Sequence, residues 1–329
     1  MKEVVLDDKD KRLLNMLQAE FPLAREPFAD VGARLGLDED EVISRIARLK
    51  GAQVIRTIGP VFDTRRLGYR STLVAMSVAE DRLEETARVI NEHTGVSHNY
   101  LRDDRFNIWF TLTVPEGVDI DNELRALAER VAPQRMLNLP AVRLFKLDVF
   151  FDAGGDNRLT GVVIPDGRPP LQLSSEERTV VGVLQQDLPL VSRPFDAMSE
   201  AVGMTPDDFL AHCRRLKERG AMRRFGASVR HNAVGYKANA MVCWMVAESM
   251  VEEAGRIMAG YAEVSHCYQR ESAPDWPYNL YTMFHARNKE ELQGTIDRIA
   301  AETGIDERRA LHTVKELKKE RVKLKPVTN

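Results

Sequence analysis

Apolar residues recur at helical spacing in three short segments near the start of the chain. The three apolar stripes are Leu13, Leu14 and Leu17; Phe28, Val31 and Leu35; and Val42, Ile43, Ile46 and Leu49. Such spacing gives each helix one apolar face. Three short helices with Gly36 in the turn before the third predict a helix-turn-helix motif followed by a small wing.

The pattern then changes to alternating apolar and polar residues, which is typical of strands with one buried face. The predicted elements are a strand at 71–78, a helix at 81–93, strands at 96–102 and 106–114, a helix at 119–131 and a strand at 142–150. This βαββαβ order predicts a ferredoxin-like sandwich.

The same series of elements occurs a second time. The sequence LQAEFPL at 17–23 matches LQQDLPL 167 positions later at 184–190, and VSHNYLR at 96–102 matches VSHCYQR at 264–270. Ser174 and Glu177 have the spacing of a capping box, and Thr205-Pro206 is typical of a helix start. Two diverged copies of one unit can pack against each other in the way that the two subunits of a dimer do.

The fold class that follows is α+β, a tandem repeat of winged helix-turn-helix and ferredoxin-like βαββαβ units. The predicted domains are a helix-turn-helix at 1–58, a ferredoxin-like domain at 59–151, a linker at 152–172, a second helix-turn-helix at 173–225 and a second ferredoxin-like domain at 226–329. The linker is rich in Gly, Asp and Pro. We expect the two halves to pair within the chain, and a further homodimer of such chains is possible.

Composition narrows the class of protein. The chain has 329 residues, of which 43% are hydrophobic, and no apolar run approaches the roughly 20 residues that span a bilayer. No secretory signal is recognisable, so we expect a cytoplasmic protein without a membrane partner. Its three cysteines are scattered and form no CxxC pair, which argues against a disulfide framework. We expect no metal site and no cofactor.

Charge argues against DNA binding. The net charge is -3, so no overall positive field attracts nucleic acid. The start of each recognition helix, which must approach phosphates and bases, carries Asp38, Glu39, Asp40 and Glu41 in the first copy and Asp207-Asp208 in the second. The helix-turn-helix motifs are therefore predicted to serve as a scaffold.

The strands carry an unusual polar face. A period of two places His98, Tyr100 and Arg102 on one face. The residues that the same parity adds are Asn107 and Trp109 in the first copy and His266, Tyr268, Arg270, Asn279, Tyr281 and His285 in the second. The apolar face, to which Phe106, Ile108, Phe110 and Leu112 are assigned, belongs under the helices. The polar face predicts a cavity between the copies that holds a flat, anionic ligand; the alternative is an interface of hydrogen-bonding partners without a ligand.

Additional positive charge precedes the first strand of each sandwich. The second copy has Arg223, Arg224, Arg230 and His231, and the first has Arg56, Arg65 and Arg66. These residues add to an anion-binding site, or they form a solvated basic loop.

The domain order resembles the Lrp/AsnC family of amino-acid-responsive transcription regulators. Longer strings resemble the siroheme decarboxylases, namely RRFGASVRH at 223–231, GYKANAM at 235–241, SHCYQR at 265–270 and PDWPYNLYTM at 274–283. The first half, through GPVFDTRRLGYRSTL at 59–73 and HNYLR at 98–102, is similar to the companion subunit of that family. The chain thus resembles a natural fusion of both subunits, like the D/L proteins of heme d1 biosynthesis. One departure is DDR at 103–105, where related first halves often have a histidine.

The resemblance implies conversion of siroheme to 12,18-didecarboxysiroheme by loss of two acetate carboxyl groups. We expect His98 and His266 to act as acids or to orient carboxylates, with Tyr100 and Tyr268 bonding the departing carboxylate; the same imidazoles can instead contact the substrate iron. The expected substrate-binding residues are Arg102, Arg270, Arg223, Arg224, Arg230, His231, Trp109, Asn107, Asn279, Tyr281, His285 and Trp276. The arginines are expected at the carboxylate rim of the macrocycle, and the ring faces are expected to contact Trp109, Tyr281, Trp276 and Met283. The alternatives are an Lrp/AsnC-type transcription regulator and a heme-sensing DNA-binding protein.

Overall fold

The computed structural model describes residues 5–147, 149–154 and 168–324. Part of the predicted linker at 152–172, the outer ends of the first and last predicted domains, and one residue of the predicted strand at 142–150 lie outside the described residues. Within the described part of the chain, no helix combines the length and the apolarity needed to cross a membrane.

The first half begins with a helix-turn-helix and continues into a ferredoxin-like unit. Its elements are α1 (Asp8–Ala19), α2 (Pro27–Leu35), α3 (Glu39–Gly51), β1 (Ile55–Phe62), β2 (Tyr69–Ser77), α4 (Leu83–Glu92), β3 (Val96–Arg102), β4 (Ile108–Pro115), α5 (Ile120–Val131) and β5 (Arg135–Leu147). Gly36 ends α2 with a φ of 70°, a conformation that favours glycine. The last strand begins at Arg135, earlier than the predicted start at 142.

The second half repeats this order. Its elements are α6 (Ser175–Leu184), α7 (Pro194–Glu200), α8 (Pro206–Glu218), β6 (Met222–Val229), β7 (Ala238–Trp244), α9 (Val251–Gly260), β8 (Val264–Arg270), β9 (Leu280–Ala286), α10 (Lys289–Thr303) and β10 (Arg308–Lys319). The capping box of Ser174 and Glu177 starts α6, and the Thr205 side chain caps α8. The predicted tandem α+β fold is confirmed.

Eight strands from both halves close into one antiparallel barrel. The strand order is β10-β3-β4-β2-β5-β8-β9-β7, with β7 returning to β10. The last strand of each half bridges the two halves, because β5 pairs with β2 and β8, and β10 pairs with β7 and β3. The helices cover the outer face, where Ile108, Phe110 and Leu112 are buried. The two halves therefore pair within one chain, whereas a homodimer of such chains stays a prediction.

The two wings pair as well. Strands β1 and β6 form a two-stranded antiparallel sheet in which Gly59 lies opposite Gly226. A side chain at Gly226 would place its Cβ 2.5 Å from the carbonyl oxygen of Leu17, so the close approach of α1 requires glycine there. Both helix-turn-helix motifs share one hydrophobic core around this sheet.

The helix-turn-helix motifs also face each other through charged residues. Glu26 pairs with Arg193 at 2.6 Å and Arg25 lies 3.9 Å from Asp207, in the first turn of α8. In the other recognition helix, Glu39 accepts from the hydroxyl of Ser192 at 3.0 Å. The starts of both recognition helices are thus engaged with the neighbouring motif, which supports the scaffold interpretation over DNA binding.

Candidate functional site

Two matching rows of side chains line the inner side of the barrel. We call His98, Tyr100 and Arg102 on β3 the first ladder, and His266, Tyr268 and Arg270 on β8 the second ladder. In each, the histidine and tyrosine rings stack with centroids 6.3 or 6.4 Å apart. The arginine lies over the tyrosine ring at 5.2 or 4.8 Å. The alternation of side chains along a strand produces this arrangement.

The arginines of the ladders are fixed by strands of the opposite half. Arg102 donates to the carbonyl oxygen of Leu311 at 2.9 Å, and Arg270 donates to that of Leu139 at 2.8 Å. These bonds hold each guanidinium in place before any ligand arrives, which reduces the entropy cost of binding an anion.

The histidines and tyrosines of both ladders lie deep in the protein yet keep some accessible surface. Burial lowers the pKa of His98 to about 4, with a further contribution from Lys319, and lowers the pKa of His266 to about 3, helped by His98. Burial also raises the pKa of Tyr100 to about 12. Both histidines are therefore neutral near pH 7, as expected for imidazoles held in the protein interior.

The strands beside the two ladders differ in chemistry. β10 flanks the first ladder, and its residues paired with Arg102, Tyr100 and His98 are Thr313, Glu316 and Lys319. β5 flanks the second ladder, and the corresponding residues are Ala141, Leu144 and Leu147. Two register shifts in each pairing place every third residue of the flanking strand opposite the ladder. The first ladder thus has a charged neighbour and the second an apolar one.

The wings add arginines to both ladders. Arg56 on β1 pairs with Glu316 at 3.0 Å, and Arg223, at the matching position of β6, pairs with Asp63 at 3.0 Å. The Nε atoms of Arg56, Arg223 and Arg230 are buried and have no hydrogen-bond partner among the described residues. A buried N–H without a hydrogen-bond partner raises the free energy of the folded protein. These arginines therefore suit a ligand that supplies oxygen atoms as acceptors.

Histidines extend the second ladder. The Ser265 hydroxyl donates to the carbonyl oxygen of Met283 at 3.1 Å, and its oxygen lies 2.8 Å from Nδ1 of His266 and 3.2 Å from Nδ1 of His285. The His231 ring lies 5.1 Å from that of His285. Burial lowers the pKa of His231 to about 4 and that of His285 well below its ordinary value. In the first ladder, Nδ1 of His98 lies 2.8 Å from the hydroxyl oxygen of Ser97.

Several predicted ligand-binding residues make hydrogen bonds to the backbone of the protein itself. Asn107 bonds both backbone groups of Val78, and Asn279 does the same with Val246. Asn107 lies outside β4 because the chain bends before Ile108, so the predicted alternation does not extend to it; Phe106 likewise faces the barrel interior rather than the helices. Arg224 donates to the carbonyl oxygens of Gln18 and Val149. The side chains of Asn107, Asn279 and Arg224 thus already make hydrogen bonds within the protein.

The aromatic residues expected to contact the ring faces form a packed core inside the barrel. Trp109, Trp276 and Tyr281 are 1%, 1% and 3% exposed. Trp276 donates to the hydroxyl of Tyr281 at 2.9 Å, and Trp109 donates to the carbonyl oxygen of Phe106 at 2.6 Å. The parity of Trp109 and Tyr281 was predicted correctly, but inward residues of a small barrel fill its interior. They therefore support the ladders rather than offer an open face to a ligand.

The basic residues of the recognition helix are also occupied. Arg45 and Arg48 both pair with the buried Asp10, at 2.9 and 2.5 Å, and Lys50 pairs with Asp187 at 2.5 Å. Carboxylates of the protein compensate the positive charge of these side chains. Little uncompensated positive charge is therefore left to attract DNA phosphates.

We expect acid to destabilise the protein over the pH range in which the buried histidines bind protons in the unfolded chain but not in the folded protein. The pKa of an unfolded histidine is near 6.5, whereas the folded values are about 4 for His98 and His231 and about 3 for His266. Stability is therefore expected to fall as the pH drops from 6.5 towards 4. Melting temperatures measured by circular dichroism between pH 7 and 4.5 test this; a His98→Gln variant should lose part of the dependence, and an unchanged slope would contradict the assignment.

Comparison with known proteins places these features in context. A family model described as AsnC-like ligand binding domain matches residues 66–146 and 233–318, and one described as siroheme decarboxylase NirDL-like HTH domain matches residues 10–56 and 177–223. The siroheme decarboxylase of Hydrogenobacter thermophilus is 37% identical over 95% of this chain and 93% of its own length.

Two solved structures are similar over nearly the whole chain. The crystal structure of the siroheme decarboxylase NirDL has a TM-score of 0.73 at 35% identity, and covers 96% of this chain and 94% of its own. A co-complex of NirDL with an iron-uroporphyrin III analogue has a TM-score of 0.72 at 34% identity, with the same coverage.

Proposed function

Since this chain belongs to the siroheme decarboxylase family, we propose that it is a carboxy-lyase that converts siroheme to 12,18-didecarboxysiroheme in heme d1 biosynthesis. The observation that carries the proposal is the pair of His-Tyr-Arg ladders inside one barrel, beside buried arginine N–H groups that have no partner in the described part of the chain. The complex of a relative with an iron-uroporphyrin III analogue supports a tetrapyrrole ligand. No cofactor of the protein's own is part of the proposal.

Siroheme is a flat macrocycle with carboxylates around its rim, so its site needs several cations. Arg102 and Arg270 supply one guanidinium on each ladder, and Arg56, Arg223 and Arg230 supply further N–H groups. Planar guanidinium groups match carboxylates through paired hydrogen bonds. Lys319, paired with His98 across the strands, adds a charge beside the first ladder.

Decarboxylation breaks the bond between the acetate methylene and its carboxyl group. The electron pair stays on the methylene carbon and is delocalised by the conjugated ring, carbon dioxide leaves, and a proton must then reach the methylene. Neutral His98 and His266 cannot supply it until they are protonated, and the carboxylates of the substrate raise the imidazole pKa by charge attraction. We propose that the ligand itself thereby turns these histidines into acids, with Tyr100 and Tyr268 bonding the departing carboxylate. Contact of either imidazole with the substrate iron is the alternative role.

The two flanking strands favour different outcomes for a carboxylate. Beside the first ladder, Lys319 stabilises the charged form. Beside the second ladder, Leu144 and Leu147 exclude water from a carboxylate and thereby favour its loss as neutral carbon dioxide. We propose that the second ladder is the faster site of bond cleavage and that the first mainly anchors carboxylates.

The function is tested by anaerobic incubation of the purified protein with siroheme and mass spectrometry of the extracted tetrapyrrole. We expect two successive losses of carbon dioxide, with a mono-decarboxylated species between them. A control with heat-denatured protein excludes spontaneous loss. Siroheme that binds but stays unchanged would contradict the enzyme and favour a heme-sensing or carrier role.

A further inference from the structure

A chain of hydrogen bonds connects the first ladder to a histidine of the second half. Arg102 donates from Nη1 to the hydroxyl of Thr313 at 3.0 Å, and that hydroxyl donates to Oδ1 of Asn239 at 2.8 Å. Nδ2 of Asn239 lies 3.3 Å from Nε2 of His231. The chain thus runs from β3 through β10 and β7 to the loop after β6.

The direction of these bonds fixes the proton on His231. A guanidinium only donates, so the Thr313 hydroxyl accepts from Arg102 and gives its own hydrogen to Asn239. The amide oxygen of Asn239 is then used, and its NH₂ group faces His231. Because that group donates, Nε2 must carry a lone pair, and neutral His231 bears its hydrogen on Nδ1.

The remaining nitrogen of His231 has no hydrogen-bond partner where the structure describes the chain. Nδ1 is a buried atom without a hydrogen bond among the described residues. Among the described residues, an N–H is therefore held next to His285 and Phe151 without an acceptor. A buried donor without an acceptor is unfavourable, and an oxygen atom of a ligand would remove that cost.

We propose that Asn239 and Thr313 are positioning residues that hold His231 as its Nδ1–H tautomer, so that this N–H donates to a carboxylate of the bound tetrapyrrole. The identity of the ligand rests on the proposed function, whereas the tautomer of His231 rests on the hydrogen bonds alone. The proposed role concerns the second half alone. At the register position where Asn239 faces His285, the first half has Ser71 facing Thr113, two hydroxyls that bond each other at 2.9 Å.

The first measurement is the tautomer, which needs no ligand. Nitrogen-15 NMR of the histidine-labelled full chain, with His231→Gln used to assign the signal, should show His231 protonated on Nδ1. Asn239→Leu and Thr313→Val should abolish this preference, whereas Thr313→Ser, which keeps the hydroxyl, should restore it. A wild-type His231 protonated on Nε2, or variants with an unchanged signal, would overturn the proposal.

The second measurement is binding of iron-uroporphyrin III, followed by its absorption spectrum. Asn239→Leu and Thr313→Val should each weaken binding about tenfold or more, the effect of losing a hydrogen bond to a charged group. Ser71→Ala, the matched change in the first half, and Thr313→Ser should bind as the wild type does. Equal binding by all variants would overturn the inference while leaving the proposed function in place. No binding by the wild type would instead contradict the proposed function.

Discussion

Replacement of His266 with alanine is expected to lower the turnover of siroheme by a factor of about 10² to 10⁴, the range typical of a lost acid. His266 lies on the second ladder, where the residues of the flanking strand that face it are apolar. Its ring is stacked on Tyr268 and its Nδ1 meets Ser265, so only Nε2 is free for the substrate. His98→Ala is expected to reduce turnover as well.

The measurement is the rate of carbon dioxide loss under single-turnover conditions, so that binding and chemistry are separated. His312→Ala is the matched control, because His312 is an exposed histidine on β10. Near-ultraviolet circular dichroism confirms that each variant is folded. Full rates in both His98→Ala and His266→Ala would show that neither histidine is the acid.

Trp276→Ala is expected to lower the free energy of unfolding by about 3–5 kcal/mol, the usual cost of removing a large buried aromatic residue. Trp276 is 1% exposed and packs against Phe106, Trp109 and Tyr278 with ring centroids 4.9–5.5 Å apart. It comes from the second half but contacts aromatic residues of the first. Its loss therefore opens a cavity at the junction of the two copies.

Urea denaturation of the wild type, Trp276→Ala and Trp276→Phe measures this effect, and the phenylalanine variant should lose much less stability. Binding of iron-uroporphyrin III to the same proteins tests the earlier assignment of Trp276 to the ring face of the substrate. If stability is unchanged while binding is lost, Trp276 contacts the ligand and the packing role is wrong.

Local pattern was sufficient to predict the ladders. Parity along 96–102 placed His98, Tyr100 and Arg102 on one face, and the repeat gave their counterparts on β8. Parity is a property of each strand alone, so it does not depend on the rest of the fold. It did not extend to Asn107, which follows the bend at 103–106 and lies just outside β4.

The chemical difference between the ladders could not be predicted in the same way. It depends on which strand lies beside each ladder, and these partners are far away in sequence: the bond from Arg102 to Leu311 spans 209 residues. Two register shifts within β10 also disrupt its alternation, so Glu316 and Lys319 do not share a parity that would mark them as facing the same way. The charges were visible, but their positions depend on tertiary pairing.

The pairing of β5 and β10 with strands of both halves has a consequence for folding kinetics. The first ladder gains its neighbour only when β10 closes onto β3 across more than 200 residues, and contacts of such sequence separation form slowly. Until closure, β3 and β8 each have one unpaired edge of the kind that promotes aggregation. We therefore expect refolding to pass through an aggregation-prone intermediate, so that the yield of folded protein falls as the protein concentration rises. The substrate should favour closure of the barrel, because it binds only the complete barrel.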